Sequence, residues 1–249
     1  MNIRGIPLTG SRLTARCRAI GAFFEASDAD VVCLQEVQTY YHLAQLSRRM
    51  RSFRHVSYRR ALPGPAGDVV TFSRRPVVST AYRGFGVPPA APGIPALVRR
   101  GARLKGVLVT QLTDPAVSVI NTHPQANRDG DWSAANRFYP IHVAQLTALA
   151  RVTGSTAAPL VVCGDFNIDR DSDLFGEFIQ HTGLEDAFGG DCPPTFRAEY
   201  LPAGATPHTI DFILTAGGIK AESAEVLFSG EQVVSDHLGL RAELQLPGT

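Results

Sequence analysis

Pro159-Leu160-Val161-Val162-Cys163-Gly164-Asp165-Phe166-Asn167 is the stretch from which the fold can be read. Four apolar residues in a row, two of them β-branched and all bounded by Pro and Gly, describe a short strand covered on both faces, because a half-wet strand would alternate. Polar residues begin where the apolar run stops, at Asp165 and Asn167. The run Val31-Val32-Cys33-Leu34 repeats the arrangement and ends in Gln35 and Glu36. Two buried strands that each deliver a carboxylate at one end place those carboxylates on a rigid scaffold yet open to a cleft.

Outward from these strands the spacing predicts mixed structure. Leu13, Cys17, Ile20 and Phe24 recur at helical intervals after a cap at Ser11, and the helix stops near Ser27 and Asp28. A second helix is expected over 40–50, strands near 69–73, 104–112 and 116–121, and a proline-rich loop at 84–93. A long helix over 133–152 precedes the 159–163 strand; a helix over 171–181 and strands at 210–214, 224–228 and 238–246 follow. Several strands joined by short connections favour an α/β (α+β) fold of two packed sheets with helices outside over a doubly wound parallel sheet.

Composition narrows the class. A chain of 249 residues with 44% hydrophobic and 19% charged residues is long enough for one large core and too apolar to be disordered. The 24 basic and 23 acidic residues leave a net charge of +1, so attraction to nucleic acid or an anionic membrane must come from local patches. Arg48, Arg49, Arg51 and Arg54, then Arg59, Arg60, Arg74, Arg75, Arg99, Arg100 and Arg103, form such a stretch. Without regularly interleaved aromatic stacking residues they read as a solvated basic face. Cys17, Cys33, Cys163 and Cys192 show no CxxC pairing, which argues against a disulfide framework and a zinc site. No apolar run reaches membrane-spanning length and the opening residues lack a secretory core, so the chain as written is expected in the cytoplasm.

Polar residues recur wherever apolar runs end: Glu36, His123, Asp165, Asn167, Asp211, Asp236 and His237. Glu36 and Asp236 are oxygen donors suited to a hard cation, Mg²⁺ or Mn²⁺. Asp165 and Asn167 lie two apart, so in extended chain one can accept a proton while the other donates to a phosphoryl oxygen. A carboxylate such as Asp211 would fix the tautomer of His237. Hydrolysis of a phosphate ester needs a nucleophilic water, neutralisation of phosphoryl charge and help for the leaving oxygen, and this set covers all three. Singly, each residue also fits a turn or a helix cap.

The joint pattern resembles the endonuclease/exonuclease/phosphatase superfamily, which includes deoxyribonuclease I, abasic-site endonucleases, inositol polyphosphate 5-phosphatases and neutral sphingomyelinases. The matching pieces span nearly the whole chain: Asn2 in MNIRG, DVVCLQEV at 30–37, FSRRP at 72–76, NTH at 121–123, GDFN at 164–167, IDFIL at 210–214 and SDH at 235–237. The resemblance implies one domain over 1–249, a deoxyribonuclease I-like four-layer sandwich of two mainly antiparallel sheets flanked by helices. It implies Glu36 as principal ligand of Mg²⁺ (or Mn²⁺), with Asn2 and Asp236 near the same ion. His237 would act on water or phosphate, oriented by Asp211, His123 and Asn167 would hold the phosphoryl group, and Asp165 would align or deprotonate the water. KGV at 105–107, THPQA at 122–126, Arg137 and Gln145 are similar to the neutral sphingomyelinase branch. Trp132, Phe138, Tyr139 and the 84–97 segment are then candidates for reaching a membrane.

Members of the superfamily begin with an apolar strand that runs into the metal-binding Asn, whereas here Asn2 follows Met1 directly. A truncated first strand is therefore expected, with a true start upstream that would make the protein secreted or membrane-associated. The leading reading is a monomeric, metal-dependent hydrolase of a phosphodiester or phosphomonoester, acting on nucleic acid or a phospholipid head group without a stable protein partner. The alternative is a catalytically impaired binding module that retains the fold. A serine hydrolase built on Ser235 is set aside, since no G-x-S-x-G elbow is present.

Overall fold

The computed structural model describes residues 1–5, 12–230 and 233–248. In chain order the elements are α1 (Leu13–Ala26), β1 (Val31–Leu34), α2 (Tyr40–Ser47), β2 (His55–Ser57), β3 (Val70–Ser73), β4 (Val77–Gly84), α3 (Ala96–Ala102), β5 (Gly106–Thr113), β6 (Ala116–Thr122), α4 (Tyr139–Ser155), β7 (Leu160–Asp165), α5 (Asp173–Thr182), β8 (Glu185–Asp186), β9 (Asp211–Ala216), β10 (Lys220–Leu227) and β11 (Gly239–Gln245).

Six strands form one sheet in the order β4-β5-β6-β7-β9-β8, and β1-β3-β2 with the β10-β11 pair make up the opposing layer. Every pairing is antiparallel except β6 with β7. That exception follows from the connection: parallel neighbours need a crossover, and α4 supplies it. Ile141, His142, Gln145, Leu146, Leu149 and Thr153 fall at helical intervals on the buried face of α4. Leu146 and Leu149 join Phe175 and Phe178 of α5 and Ile120, Val162 and Phe212 of the sheet in one apolar cluster. On the other side Ile20 and Phe24 of α1 and Leu46 of α2 pack with Leu34, Phe72 and Leu227. Each such fully buried side chain contributes roughly 1.5–3 kcal/mol relative to exposure. The result is the expected sandwich: helices, sheet, sheet, helices.

Between the sheets the packing turns polar close to the strand ends that carry Glu36 and His123. Asn121 of β6 reaches across to donate from Nδ2 to the carbonyls of Leu34 (3.2 Å) and Val70 (3.0 Å), and its Oδ1 accepts from Gln35 Nε2 at 2.7 Å. Asn121 is fully buried, so these bonds have no water to replace them and fix one sheet against the other.

Some element boundaries differ from expectation. The cap expected at Ser11 lies outside the described residues. The second helix ends at Ser47, not at residue 50. The long helix begins at Tyr139, six residues late, because Arg137 pairs with Asp129 at 2.7 Å and Asn136 Oδ1 accepts from the Phe138 amide, holding that approach as a loop. The loop placed at 84–93 is entered by β4, whose last residue is Gly84, and is followed by α3. Strands β2 and β8 were not expected; at three and two residues they carry no readable period. Among the described residues no helix is long and apolar enough to cross a membrane.

Candidate active site

The pairing register explains why distant residues meet. Thr122 opposes Gly164 across the parallel β6–β7 pair, so His123 and Asp165 occupy the next row together. Asp165 in turn opposes Asp211 across β7–β9. Gly164 makes this possible: it has φ +146°, and a Cβ there would lie 2.0 Å from the Thr122 carbonyl oxygen. Glu36 follows β1 with φ 60° and Asn167 follows β7 with φ 55°, left-handed conformations that non-glycine residues adopt at a cost and that concentrate at functional sites.

Asp165 is the hub. Its Oδ2 accepts from Asn2 Nδ2 at 2.9 Å and faces the Nε2 atoms of His123 (3.5 Å) and His237 (3.7 Å), while its Oδ1 accepts the Asn167 amide at 2.8 Å. Burial pushes this carboxyl upward, but His237 and the bonds from His123 and Asn2 outweigh burial and hold it well below the usual carboxylate range. Asp165 is therefore an anion at any physiological pH.

Nδ1 of His237 lies 2.9 Å from Asp211 Oδ2, leaving Nε2 as the working nitrogen. Burial lowers the affinity of this imidazole for a proton, yet Asp211, Asp165 and Asp236 more than reverse it, and the group is pushed up to about 10. Asp211 is held in turn by Thr195, whose Oγ1 accepts from the amides of Ile210 (3.0 Å) and Asp211 (3.1 Å). Phe196 packs edge-on against the His237 ring, centroids 5.0 Å apart. Ser235 has a bracing role: its Oγ donates to Asn2 O at 2.8 Å and accepts the His237 amide at 3.2 Å.

Sequence spacing assigned no role to Lys105, Arg4 or Thr195. Lys105 Nζ sits 2.8 Å from His123 Nδ1 and 3.3 Å from Asp68 Oδ2. Arg4 Nε lies 3.2 Å from Asp236 Oδ2. The loop after His123 is clamped by α4: Gln145 accepts the Gln125 amide (2.8 Å) and His142 Nε2 reaches the Gln125 carbonyl (2.9 Å). Asn167 Nδ2 donates to Pro124 O at 3.2 Å, a bond that uses one of its two N–H groups.

The donor set fits a hard cation. Glu36 Oε2 is buried without a hydrogen-bond partner among the described residues, a costly state for a carboxylate oxygen. Burial raises the Asp236 carboxyl above its ordinary value and the nearby Glu36 carboxylate adds to the rise, against His237 and Arg4. Two acids that push on each other in a buried site are what a divalent ion relieves. Asp165, Asp211 and His237 also offer ligand atoms within 4.8 Å of one another. His237 bonds Asp211 and faces Asp165, so these three satisfy one another, whereas Glu36 keeps an unpartnered oxygen among the described residues. Asn2 is engaged at both ends, since its Oδ1 accepts the Arg4 amide at 2.8 Å, so it first braces Asp165 and has one lone pair left for a cation.

Residues 1–237 match the model of the Endonuclease/Exonuclease/phosphatase family. The chain belongs to that family. A Caenorhabditis elegans protein named "Putative neutral sphingomyelinase" is 25% identical over 96% of this chain, which spans 63% of that relative's length. Among solved structures, sphingomyelinase C from Streptomyces griseocarneus superposes with a TM-score of 0.70 at 19% identity, covering 97% of this chain and 96% of its own. A beta toxin from Staphylococcus aureus with bound magnesium ions gives 0.69 at 16%, covering 97% of each. At those identities the structural likeness establishes the fold, a two-sheet sandwich flanked by helices. Members of that family are phosphoric ester hydrolases.

Of the residues singled out from sequence, His123, Asp165, Asn2, Asp211 and His237 form one bonded cluster, with Asn167 bonded to Asp165 and Glu36 and Asp236 at its border. Of the aromatics offered for membrane contact, Phe138 does not serve it, being buried in the core under α3, and Trp132 is half-buried and donates from Nε1 to Asn167 O at 2.9 Å.

Proposed function

We propose that this protein is a Mg²⁺-dependent phosphodiesterase. The observation that carries the reading is the buried Asp165 carboxylate facing His123 and His237 at once, with Glu36 and Asp236 beside it. Glu36 and Asp236, with the free lone pair of Asn2, would hold the ion, which supplies charge neutralisation at the phosphoryl oxygens. Asp165 orients the attacking water and takes its proton as the new P–O bond forms. His237, kept protonated by Asp211, hydrogen-bonds the phosphoryl group and can return a proton to the departing oxygen as the old P–O bond breaks. His123, steadied by Lys105, and the free N–H of Asn167 hold the remaining phosphoryl oxygen.

The surface beside the site favours a phospholipid head group over a nucleic acid. Val87, Leu97 and Leu104 are exposed by 74%, 80% and 67%, among Arg99, Arg100 and Arg103, and Leu104 adjoins Lys105. Apolar tips set among cations suit an anionic membrane interface, whereas single-stranded nucleic acid calls for aromatic stacking platforms. Hydrolysis of bis(p-nitrophenyl) phosphate, sphingomyelin vesicles and plasmid DNA, each in Mg²⁺ and in EDTA, tests both levels. Turnover lost in EDTA and in Asp165→Ala is expected, with sphingomyelin ahead of DNA. Turnover that persists in EDTA overturns the mechanism, DNA ahead of lipid overturns the substrate, and an intact fold without turnover favours a binding module.

A further inference from the structure

Alternation along β1 and β7 turns one cysteine of each strand toward the other. Val32 and Leu34 join the cluster under α1 and α2, so Cys33 points to the opposite face of its sheet. Leu160 and Val162 join the cluster under α4 and α5, so Cys163 likewise points into the space between the sheets. β1 and β7 are in contact across that space. The register agrees: Asn121 lies opposite Cys163 in the β6–β7 pair and donates to the carbonyl of Leu34, the residue after Cys33. The two thiols meet there within hydrogen-bonding reach, Cys163 donating to the Cys33 sulfur.

Their surroundings set this pair apart from the other two cysteines. Thr71 Oγ1 stands 3.6 Å from Cys33 Sγ, and the bonds from Cys163 and Thr71 outweigh burial, so the Cys33 thiol is held below its ordinary value. The same bond to Cys33, together with burial, holds Cys163 well above its own. Cys33 is thus the sulfur that ionises first, with Cys163 beside it. Both keep part of their surface open, whereas Cys17 is fully buried, and burial pushes the Cys17 and Cys192 thiols up to about 11.

We propose that Cys33 and Cys163 are a redox pair, closed by hydrogen peroxide into one reversible disulfide that ties β1 to β7. The Cys33 thiolate attacks the peroxide: an S–O bond forms, the O–O bond breaks, and the oxygen that leaves takes a proton to become water. The Cys163 sulfur then attacks the Cys33 sulfenic acid; an S–S bond forms, the S–O bond breaks and a second water departs. The two thiols give up two electrons and two protons, and the peroxide takes them. Closure brings the sulfurs from contact to about 2 Å. Cys33 lies three residues before Glu36 and Cys163 two before Asp165, so closure shifts the strands that carry both carboxylates. Its effect on turnover rests on the phosphodiesterase reading; the bridge itself does not.

The test treats the full chain, Cys33→Ala, Cys163→Ala and the double variant Cys17→Ala/Cys192→Ala with hydrogen peroxide in native buffer, blocks the remaining thiols, and maps cross-links by mass spectrometry without reduction. Turnover of bis(p-nitrophenyl) phosphate is measured before oxidation, after it, and after dithiothreitol. A cross-link between Cys33 and Cys163 of one chain is expected in the wild type and the double variant and in neither single variant, with turnover falling about tenfold or more and returning on reduction. Thiols that stay free in the folded protein, or that join Cys17, Cys192 or a second chain instead, overturn the pair. A complete cross-link with unchanged turnover overturns its link to the site. A reduced protein without turnover counts against the phosphodiesterase reading alone, because the cross-link is read by mass and decides the pair in that case too.

Discussion

His142 offers a quantitative test of how the loop bearing His123 is held. The imidazole is fully buried in α4; its Nε2 lies 2.9 Å from the Gln125 carbonyl, and its Nδ1 has no partner among the described residues. A neutral ring with its proton on Nε2 satisfies this site, whereas a charged ring would point a second N–H into apolar surroundings. Burial accordingly pushes the group down from 6.5 to about 4, against the bond to Gln125. Between those values the unfolded chain binds a proton that the native protein does not, so stability rises with pH across the window. The contribution is fully present above 6.5, is lost as pH falls through it, and levels off near 4. At 1.36 kcal/mol per pKa unit the whole interval is worth ~3 kcal/mol, of which ~2 kcal/mol is gone by pH 5. His142→Gln keeps a donor for Gln125 and removes the titration. Urea unfolding of both proteins at pH 7.5, 6, 5 and 4 isolates the term, since other carboxylates titrate alike in each. The wild type should lose ~2 kcal/mol more than the variant between pH 7.5 and 5, about 4–8 °C in Tm. Parallel stability curves would show that His142 is accommodated as a cation and that the argument from its unpartnered Nδ1 is wrong.

Asp211→Asn removes the charge that orients His237 and keeps it protonated, so kcat should fall by about 10³–10⁴ with the fold intact, by analogy with His–carboxylate pairs generally; a change of less than tenfold in a bis(p-nitrophenyl) phosphate assay would remove Asp211 from the mechanism. Gly164→Ala drives a Cβ to 2.0 Å from the Thr122 carbonyl at φ +146°, and should cost ~3 kcal/mol or more in chemical denaturation, with a loss under 1 kcal/mol refuting the close packing of β6 on β7.

What was legible in the sequence was whatever depended on burial by short range. β1 and β7 are unbroken apolar runs because both faces are covered, and helix α1 shows its stripe plainly. β4 escaped because it is largely exposed at the margin of the sheet, with only Val77, Ala81 and Tyr82 half-buried, and α3 because seven residues following several prolines give no periodicity. The site was legible where a polar side chain interrupts a strand end, which is how Glu36, His123, Asp165, Asp211 and His237 were found. Lys105, Arg4 and Thr195 were not, since a Lys ahead of a strand or a Thr in a loop looks the same whether it meets solvent or a histidine. Their partners lie 18, 232 and 16 positions away in the chain, and only the register brings them together.

The two halves of the site also sit on different sheets. Asp165 and Asp211 belong to strands of the six-stranded sheet and His123 directly follows β6, whereas Asn2 and Glu36 are carried by the β1 layer, and Asp236 and His237 lead into β11. On the proposed mechanism, proton handling and ion binding act together only while the layers keep their spacing. Two features hold it near the site: Asn121, bonded across to Leu34, Val70 and Gln35, and the Asn2–Asp165 bond. The first is buried and internally satisfied. The second rests on a run of residues that, among the described residues, pairs with one strand only, so the layer spacing beside Glu36 is set by how firmly residues 1–3 are seated.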